Sequence, residues 1–371
     1  MEKKVLIVFG TRPEAIKMAP VVKELKNIDS LNTAVCVTAQ HREMLDQVLD
    51  FFKITPDYDL DLMKPNQTLN ELSSRIFSKI DVVLNNFKPN LVLVHGDTTT
   101  STIVALASFN RQIKVAHVEA GLRTYNKSAP FPEEINRQIT GRITDYHFAP
   151  TKNAANNLIN NENVNPKKVY ITGNTVIDAL FWGIKNINDK RLEISKLESK
   201  TDKTKKLILV TGHRRENFGK KFESFCNALL TISKRNDIQI IYPVHLNPRV
   251  QSPVTKILKN IENVLLIKPL DYEVFIWLMN KSYLIITDSG GIQEEAPSLK
   301  KPVLVTREVT ERQEAVESNL VKLVGTNKKL IINETIKLLD SKEEYNKMIS
   351  ADNPYGDGKA SKRIKNIINS L

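Results

Sequence analysis

The chain has 371 residues, long for a single core and enough for two domains of ordinary size, and its 41% hydrophobic content excludes a disordered or fibrous protein. Its formal charge of +12 comes from 54 Lys+Arg against 42 Asp+Glu, mixed along the chain without a basic tail, so it reads as a lysine-rich solvated surface and not as a nucleic-acid footprint. Cys36 and Cys226 lie far apart without metal-ligand spacing, which speaks against a disulfide and fits a reducing compartment, and no stretch approaches the ~20 apolar residues that cross a bilayer.

In chain order, short runs rich in Val, Ile and Leu alternate with segments of helical period, the rhythm of parallel sheets wound with helices on both faces. The run at 5–9 stops at Gly10-Thr11-Arg12; it is too short for a signal-peptide core and predicts a first strand in a cytoplasmic protein. Further strands are expected at 35–38, 91–94, 115–118, 146–149 and 169–172, with helices such as 14–25 and 42–52 between them. Residues 186–206, dense in Lys, Asp, Glu and Ser, predict a surface helix and loop inside a second domain rather than a linker. The rhythm restarts with strands at 207–211, 238–243, 264–267, 284–287 and 303–305. Two such arrays joined near residue 172 predict an α/β protein of two Rossmann-like, doubly wound domains, 1–172 and 173–358, facing a central cleft. A last helix over 359–368 follows the turn Asn353-Pro354-Tyr355-Gly356-Asp357-Gly358, and the segment 359–371 is a candidate to cross back to the first domain.

Open parallel sheets bind ligands at the carboxyl ends of their strands, so the polar residues there carry the information. The first strand ends in Gly10-Thr11-Arg12-Pro13-Glu14, with Lys17 one turn into the helix. The strand at 91–94 runs through His95-Gly96 into Asp97 and a Thr-rich helix start, the strand at 115–118 runs into Glu119, and Glu133 follows Pro130-Phe131-Pro132. Any one of these acids alone reads as a helix cap. Three of them with Arg12 and Lys17 on one rim point to a shared acid–base site.

In the second domain, Thr287-Asp288-Ser289-Gly290-Gly291-Ile292-Gln293-Glu294-Glu295 follows a strand and opens a helix, where two glycines admit an anion close to backbone amides. Gly212-His213-Arg214-Arg215-Glu216 closes another strand with an imidazole and two guanidiniums, a set suited to a phosphate-rich leaving group, and Thr310-Glu311-Arg312 adds a cation. No histidine has metal-ligand spacing, and neither a nucleophile elbow nor a dinucleotide fingerprint occurs, so no metal and no cofactor are expected.

The blocks Gly10-Thr11-Arg12-Pro13-Glu14-Ala15-Ile16-Lys17, Ala39-Gln40-His41-Arg42, His95-Gly96-Asp97-Thr98, His117-Val118-Glu119-Ala120-Gly121, Pro132-Glu133-Glu134, Gly173-Asn174-Thr175, Gly212-His213-Arg214-Arg215-Glu216, Asp288 to Pro297 and Asn353-Pro354-Tyr355-Gly356 run in order along nearly the whole chain. They resemble bacterial non-hydrolysing UDP-N-acetylglucosamine 2-epimerases. The resemblance implies a GT-B glycosyltransferase-type fold, a homodimer, and reversible inversion at C2 of UDP-GlcNAc to UDP-ManNAc through elimination and re-addition of UDP, in supply of envelope polysaccharide. It implies that Asp97, Glu119 and Glu133 handle protons with His213 at the diphosphate, and that Arg12, Lys17, Phe275, Ser289, Gly290, Gly291, Glu295 and Arg312 bind substrate. It further implies that Gln40, His41, Gln67, Glu134, Arg137 and His245 hold a second UDP-GlcNAc as activator. Glu43 and Asn66 depart from the activator pattern of some members, and Gln313 stands where the family usually has Pro, which is expected to free the Arg312 loop. A hydrolysing epimerase or a sugar-nucleotide glycosyltransferase is the alternative on the same fold; a non-catalytic nucleotide-sugar sensor would not need the three carboxylates.

Overall fold

The apolar runs form two all-parallel sheets, and the computed structural model describes residues 2–39, 42–64, 66–310 and 312–371. The first sheet holds β1 (Lys3–Phe9), β2 (Leu31–Val37), β3 (Tyr58–Asp59), β4 (Leu91–His95), β5 (Lys114–Val118), β6 (Tyr146–Ala149) and β7 (Val169–Ile171), in the order β3-β2-β1-β4-β5-β6-β7. The second holds β8 (Lys206–Thr211), β9 (Ile238–Pro243), β10 (Val264–Ile267), β11 (Leu284–Thr287), β12 (Val303–Val305) and β13 (Val321–Leu323), in the order β10-β9-β8-β11-β12-β13. Helices cover both faces, so the central strands are apolar without alternation, and Val5, Leu6, Ile7, Val8 and Phe9 are all fully buried. Ile7 pairs with Val35 on one side and Leu93 on the other, which fixes β1 at the centre of its sheet. The edge strands β3 and β13 were not expected from the sequence; β3 is only Tyr58-Asp59 and β13 carries Lys322 between Val321 and Leu323, so neither is an apolar run.

One compact unit comprises Met1–Trp182 with Tyr355–Leu371, the other Gly183–Pro354. The division falls inside the helix Thr175–Asn186, beyond the expected residue 172, and the chain returns to the first unit at Tyr355. Local bonding accounts for this. Asn174 N–H donates to Tyr355 O at 2.6 Å, and the Asp178 carboxylate caps the last helix, Ala360–Ser370, by accepting from the backbone N–H of Ala360 and Ser361 at 3.1 and 2.8 Å. The Lys-rich segment 186–206 belongs to the second unit and contains the helix Leu192–Glu198, with Arg191 paired to Asp271 and Glu273. Both cysteines are buried and free. Among the described residues no helix is long and apolar enough to cross a membrane.

Each sheet reverses its winding once, between β1 and β4 in the first unit and between β8 and β11 in the second. At such a reversal the loops leaving the two strands diverge and open a crevice at the carboxyl edge. Arg12, Lys17 and Asp97 follow the strands at the first of these places, and His213, Ser289, Gly290 and Gly291 those at the second.

Candidate active site

In the first unit a buried carboxylate ties the two diverging loops together. Glu14 Oε2 accepts from the backbone N–H of Gly10 and Thr11 at 3.0 and 2.8 Å, while Oε1 accepts from Thr98 Oγ1 at 2.7 Å across the sheet. Thr98 is itself the cap of the helix Thr99–Asn110, taking Ser101 N–H. Asp97 is therefore not spent on capping. Its Oδ2 lies 2.7 Å from Arg137 Nη2, and its side chain stays about one quarter exposed, at 26%.

Glu119 follows β5 directly and has φ +63°, a left-handed conformation costly for a residue with a side chain and found where the surroundings hold it. Here Arg137 holds it at two points, Nη1 donating to Glu119 O at 2.8 Å and Nη2 to Oε1 at 3.0 Å. Lys17 Nζ donates to Oε2, which also accepts from Asn174 Nδ2 at 3.0 Å. Burial alone would push the Glu119 carboxyl up; the charges of Lys17, His95 and Arg137 override it and hold the group well below the ordinary carboxylate range. Glu133 opens the helix Glu133–Ile143 one turn before Arg137, on the same face, and its side chain makes no hydrogen bond or ion pair with the other described residues. Thus Lys17, Glu119, Arg137 and Asp97 are linked in that order by ion pairs, and Glu133 lies on the helix that carries Arg137.

His95 lies behind this cluster, 3% exposed, with Nε2 3.8 Å from Glu119 Oε2. Burial lowers it to about 4, and His147 on β6 is likewise lowered to about 4 by burial. Both groups take up protons in the unfolded chain near pH 6.5 but not in the folded one. Their contribution to stability is complete above pH 6.5 and is lost as pH falls through 4, with the depressed Glu119 adding further loss below its unfolded value. Denaturant midpoints are expected to hold from pH 7.5 to about 6.5 and then to fall towards pH 4, and a flat profile below 6.5 would exclude buried neutral histidines.

The second unit repeats the loop tie with Asp288. Its Oδ2 accepts from the backbone N–H of His213 and Arg214 at 2.7 and 2.8 Å, joining the loops after β8 and β11, and the Thr211 and Thr287 hydroxyls meet beside it at 2.6 Å. His213 is partly exposed and stacks on His245, with ring centroids 5.1 Å apart and planes 8° from parallel. Ser289 precedes the short helix Gly290–Glu295, its N–H held by Thr287 Oγ1 at 2.9 Å. The Arg312 guanidinium rests against Gly290, where a Cβ would come 2.9 Å from its Cζ, and Arg312 Nε donates to Glu294 Oε1 at 2.9 Å. A side chain at this position would have to displace the guanidinium. Glu295 is buried on the same helix, while Phe275 lies partly buried on the separate helix Tyr272–Lys281.

Gln313 does not free the Arg312 loop as expected from the missing proline. Its Nε2 donates to Thr310 O at 2.6 Å, and Thr310 Oγ1 donates to Gln293 Oε1 at 2.7 Å and accepts from Arg312 N–H at 3.2 Å, so hydrogen bonds supply the restraint.

The residues assigned to an activator lie in both units, and each of the described ones has a partner within its own unit. Gln40 and His41 lie outside the described residues. Glu134 is buried and engaged in clamping a loop, accepting from the N–H groups of Thr124 and Tyr125 at 2.8 and 3.0 Å. Arg137 joins the carboxylate cluster, Gln67 accepts from Arg75, and His245 stacks on His213. Arg12 opens the helix Arg12–Lys26 beside Gly10, partly exposed. Three supporting residues, Glu14, Asn174 and Asp288, had no role assigned from the sequence. Asp288 alone carried a usable signal, a carboxylate closing a strand as Asp97 does. Among the described residues no group of three or more His, Cys, Asp or Glu side chains could hold a metal ion.

The sequence matches the family model described as UDP-N-acetylglucosamine 2-epimerase over residues 23–369. A UDP-N-acetylglucosamine 2-epimerase of Campylobacter jejuni is 60% identical over 99% of this chain and 98% of its own length. The crystal structure of a Neisseria meningitidis UDP-GlcNAc 2-epimerase bound to UDP-GlcNAc superposes with a TM-score of 0.90 at 49% identity, covering 99% of this chain and 100% of that one. An S. aureus protein solved with UDP gives 0.87 at 48% identity, over 99% and 96% of the two chains. The matches extend through both units.

Proposed function

Since the chain belongs to the UDP-N-acetylglucosamine 2-epimerase family, we propose that it interconverts UDP-GlcNAc and UDP-ManNAc by the non-hydrolysing route, in supply of bacterial envelope polysaccharide. The enzyme is an isomerase, and the proposal concerns the path taken. A base removes the proton from C2 of the sugar as the C1–O bond to UDP breaks, giving 2-acetamidoglucal and UDP. The UDP oxygen then re-forms the bond at C1 while an acid delivers a proton to the opposite face of C2.

That path needs carboxylates at the sugar and cations at the diphosphate. The observation that carries the reading is the Asp97–Arg137–Glu119–Lys17 cluster, in which two acids from neighbouring strand ends share the Arg137 guanidinium and Glu119 also takes Lys17. Glu119 is so heavily compensated that it serves as the anionic anchor of the site, leaving Asp97 and Glu133 to exchange protons with C2. His213, Arg12 and Arg312 attract the diphosphate, and the Ser289-Gly290-Gly291 backbone with Glu295 and Phe275 receives the nucleotide. A second UDP-GlcNAc acting as activator, and a homodimer, belong to the same reading, with Gln67 and His245 as its candidates outside the carboxylate cluster.

Incubation with UDP-GlcNAc in heavy water, followed by NMR, tests the route. A reversible mixture with UDP-ManNAc, deuterium at C2 of both sugars and no net free UDP are expected. Stoichiometric release of UDP and free sugar, or full retention of hydrogen at C2, would overturn it.

A further inference from the structure

We infer that Asp288 is a positioning residue that orients His213 and stabilises its charged form, making the pair a carboxylate–imidazole dyad aimed at the diphosphate. The inference rests on the proposed role of His213 at that diphosphate. Asp288 is fully buried, and its two oxygens are used differently. Oδ2 is fixed by the N–H groups of His213 and Arg214, whereas Oδ1 is buried with no hydrogen-bond partner, 3.6 Å from His213 Nδ1. A buried carboxylate oxygen without a donor is costly and calls for an explanation. A small turn of the His213 ring brings Nδ1–H onto it, and Nε2, on the far side of the ring, then points away from the carboxylate. This is how carboxylates elsewhere set the tautomer and orientation of a working histidine.

His245 helps to assign the charge. Its Nδ1 accepts the backbone N–H of Asn247 at 3.1 Å, so that nitrogen carries no proton while the bond lasts. Of the two stacked rings, His213 is the one that faces an anion. The titratable and charged groups against it are Asp288, His245 and Arg214; burial lowers His213 below the ordinary histidine range, Asp288 opposes the shift, and His245 and Arg214 add to it. An arriving diphosphate joins Asp288 on the raising side, so the ring gains its proton when the leaving group is present. Asp288 thereby acts on the diphosphate through His213 without touching substrate.

Asp288→Asn keeps an oxygen for the two backbone donors and removes the charge. The His213 titration midpoint, followed by NMR of ring-labelled protein without nucleotide, is expected to drop by roughly one unit. The alkaline limb of kcat should move to lower pH, with kcat reduced about tenfold or more and KM changed far less. An unchanged midpoint would overturn the inference. Should the variant fold poorly, the wild-type ring nitrogens decide: a neutral His213 protonated at Nδ1 supports the dyad, and one protonated at Nε2 overturns it. The epimerase reading is judged separately by wild-type turnover of UDP-GlcNAc. An inactive wild type with a shifted midpoint sinks that reading and leaves the dyad, and an active wild type with an unshifted midpoint does the reverse.

Discussion

Glu119→Gln is expected to reduce turnover by roughly 100-fold or more, and to lose more folding stability than either Asp97→Asn or Glu133→Gln. The amide is isosteric, so the loss isolates charge. In the native protein two cations, Lys17 and Arg137, converge on Glu119, whose side chain is only 5% exposed. Neutralising it leaves those cations buried with Asp97 as the remaining acid in contact, a situation that costs on the order of 3 kcal/mol of folding stability when a buried pair is broken. Asp97 is partly exposed and the Glu133 side chain makes no hydrogen bond or ion pair with the other described residues, so their amide variants should lose activity on a similar scale while melting close to wild type. The measurements are kcat for epimerisation and the denaturant midpoint of each variant. Turnover within a few-fold of wild type in all three would remove the acid–base assignment, and an undiminished midpoint for Glu119→Gln would remove its role as electrostatic anchor.

The parallel sheets were legible because strands covered on both faces become unbroken apolar runs, and β1, β4, β5, β8 and β11 are of that kind. The edges β3 and β13 were not, since Tyr58-Asp59 and Val321-Lys322-Leu323 each include a charged residue and leave no apolar run. The rim residues were legible for a related reason: where a parallel strand ends, polar residues begin, and Asp97, Glu119, His213 and Asp288 all stand within a few residues of such an end. What the sequence does not carry is the pairing of side chains between loops. Glu134 and Arg137 share one helix, yet the first turns to the loop at Thr124 and the second to Glu119, and only the packing of Glu133–Ile143 on β5 decides which. The contact of His213 with His245 likewise arises because β8 and β9 are neighbours, which a linear pattern does not specify.

The two units also solve one problem in the same way. At a winding reversal, two loops must diverge to open a crevice and still be rigid enough to hold catalytic groups. In both units a buried carboxylate takes backbone N–H groups from one loop, Glu14 while bonding the Thr98 hydroxyl of the other, and Asp288 as a member of the other. A carboxylate suits this role because charge-assisted bonds to several donors are stronger and more directional than amide–amide contacts. In the second unit this arrangement also places a carboxylate just behind the rim, where it meets His213. The supporting residues that were invisible as chemistry in the sequence are thus the ones that fix the geometry of those that were visible.

Arg137→Met is expected to cut turnover by two to three orders of magnitude, on the order of 3–4 kcal/mol of transition-state stabilisation. One guanidinium fork reaches three acceptors here: Asp97 Oδ2, Glu119 Oε1 and Glu119 O. Its removal leaves two carboxylates at a shared site with Lys17 as the cation still bonded to Glu119, so one of them should bind a proton more tightly and the acid limb of the pH–rate profile should move to higher pH. Arg137→Lys keeps the charge but lacks the planar fork, and should recover only part of the rate. An activator ligand predicts a different outcome. If Arg137 served a second nucleotide sugar, Arg137→Met would change the dependence on UDP-GlcNAc concentration and leave kcat at saturation near wild type. Saturating kcat within about threefold of wild type, with only that dependence altered, would return Arg137 to the activator set and leave Glu119 held in its left-handed conformation by Lys17 and Asn174 alone.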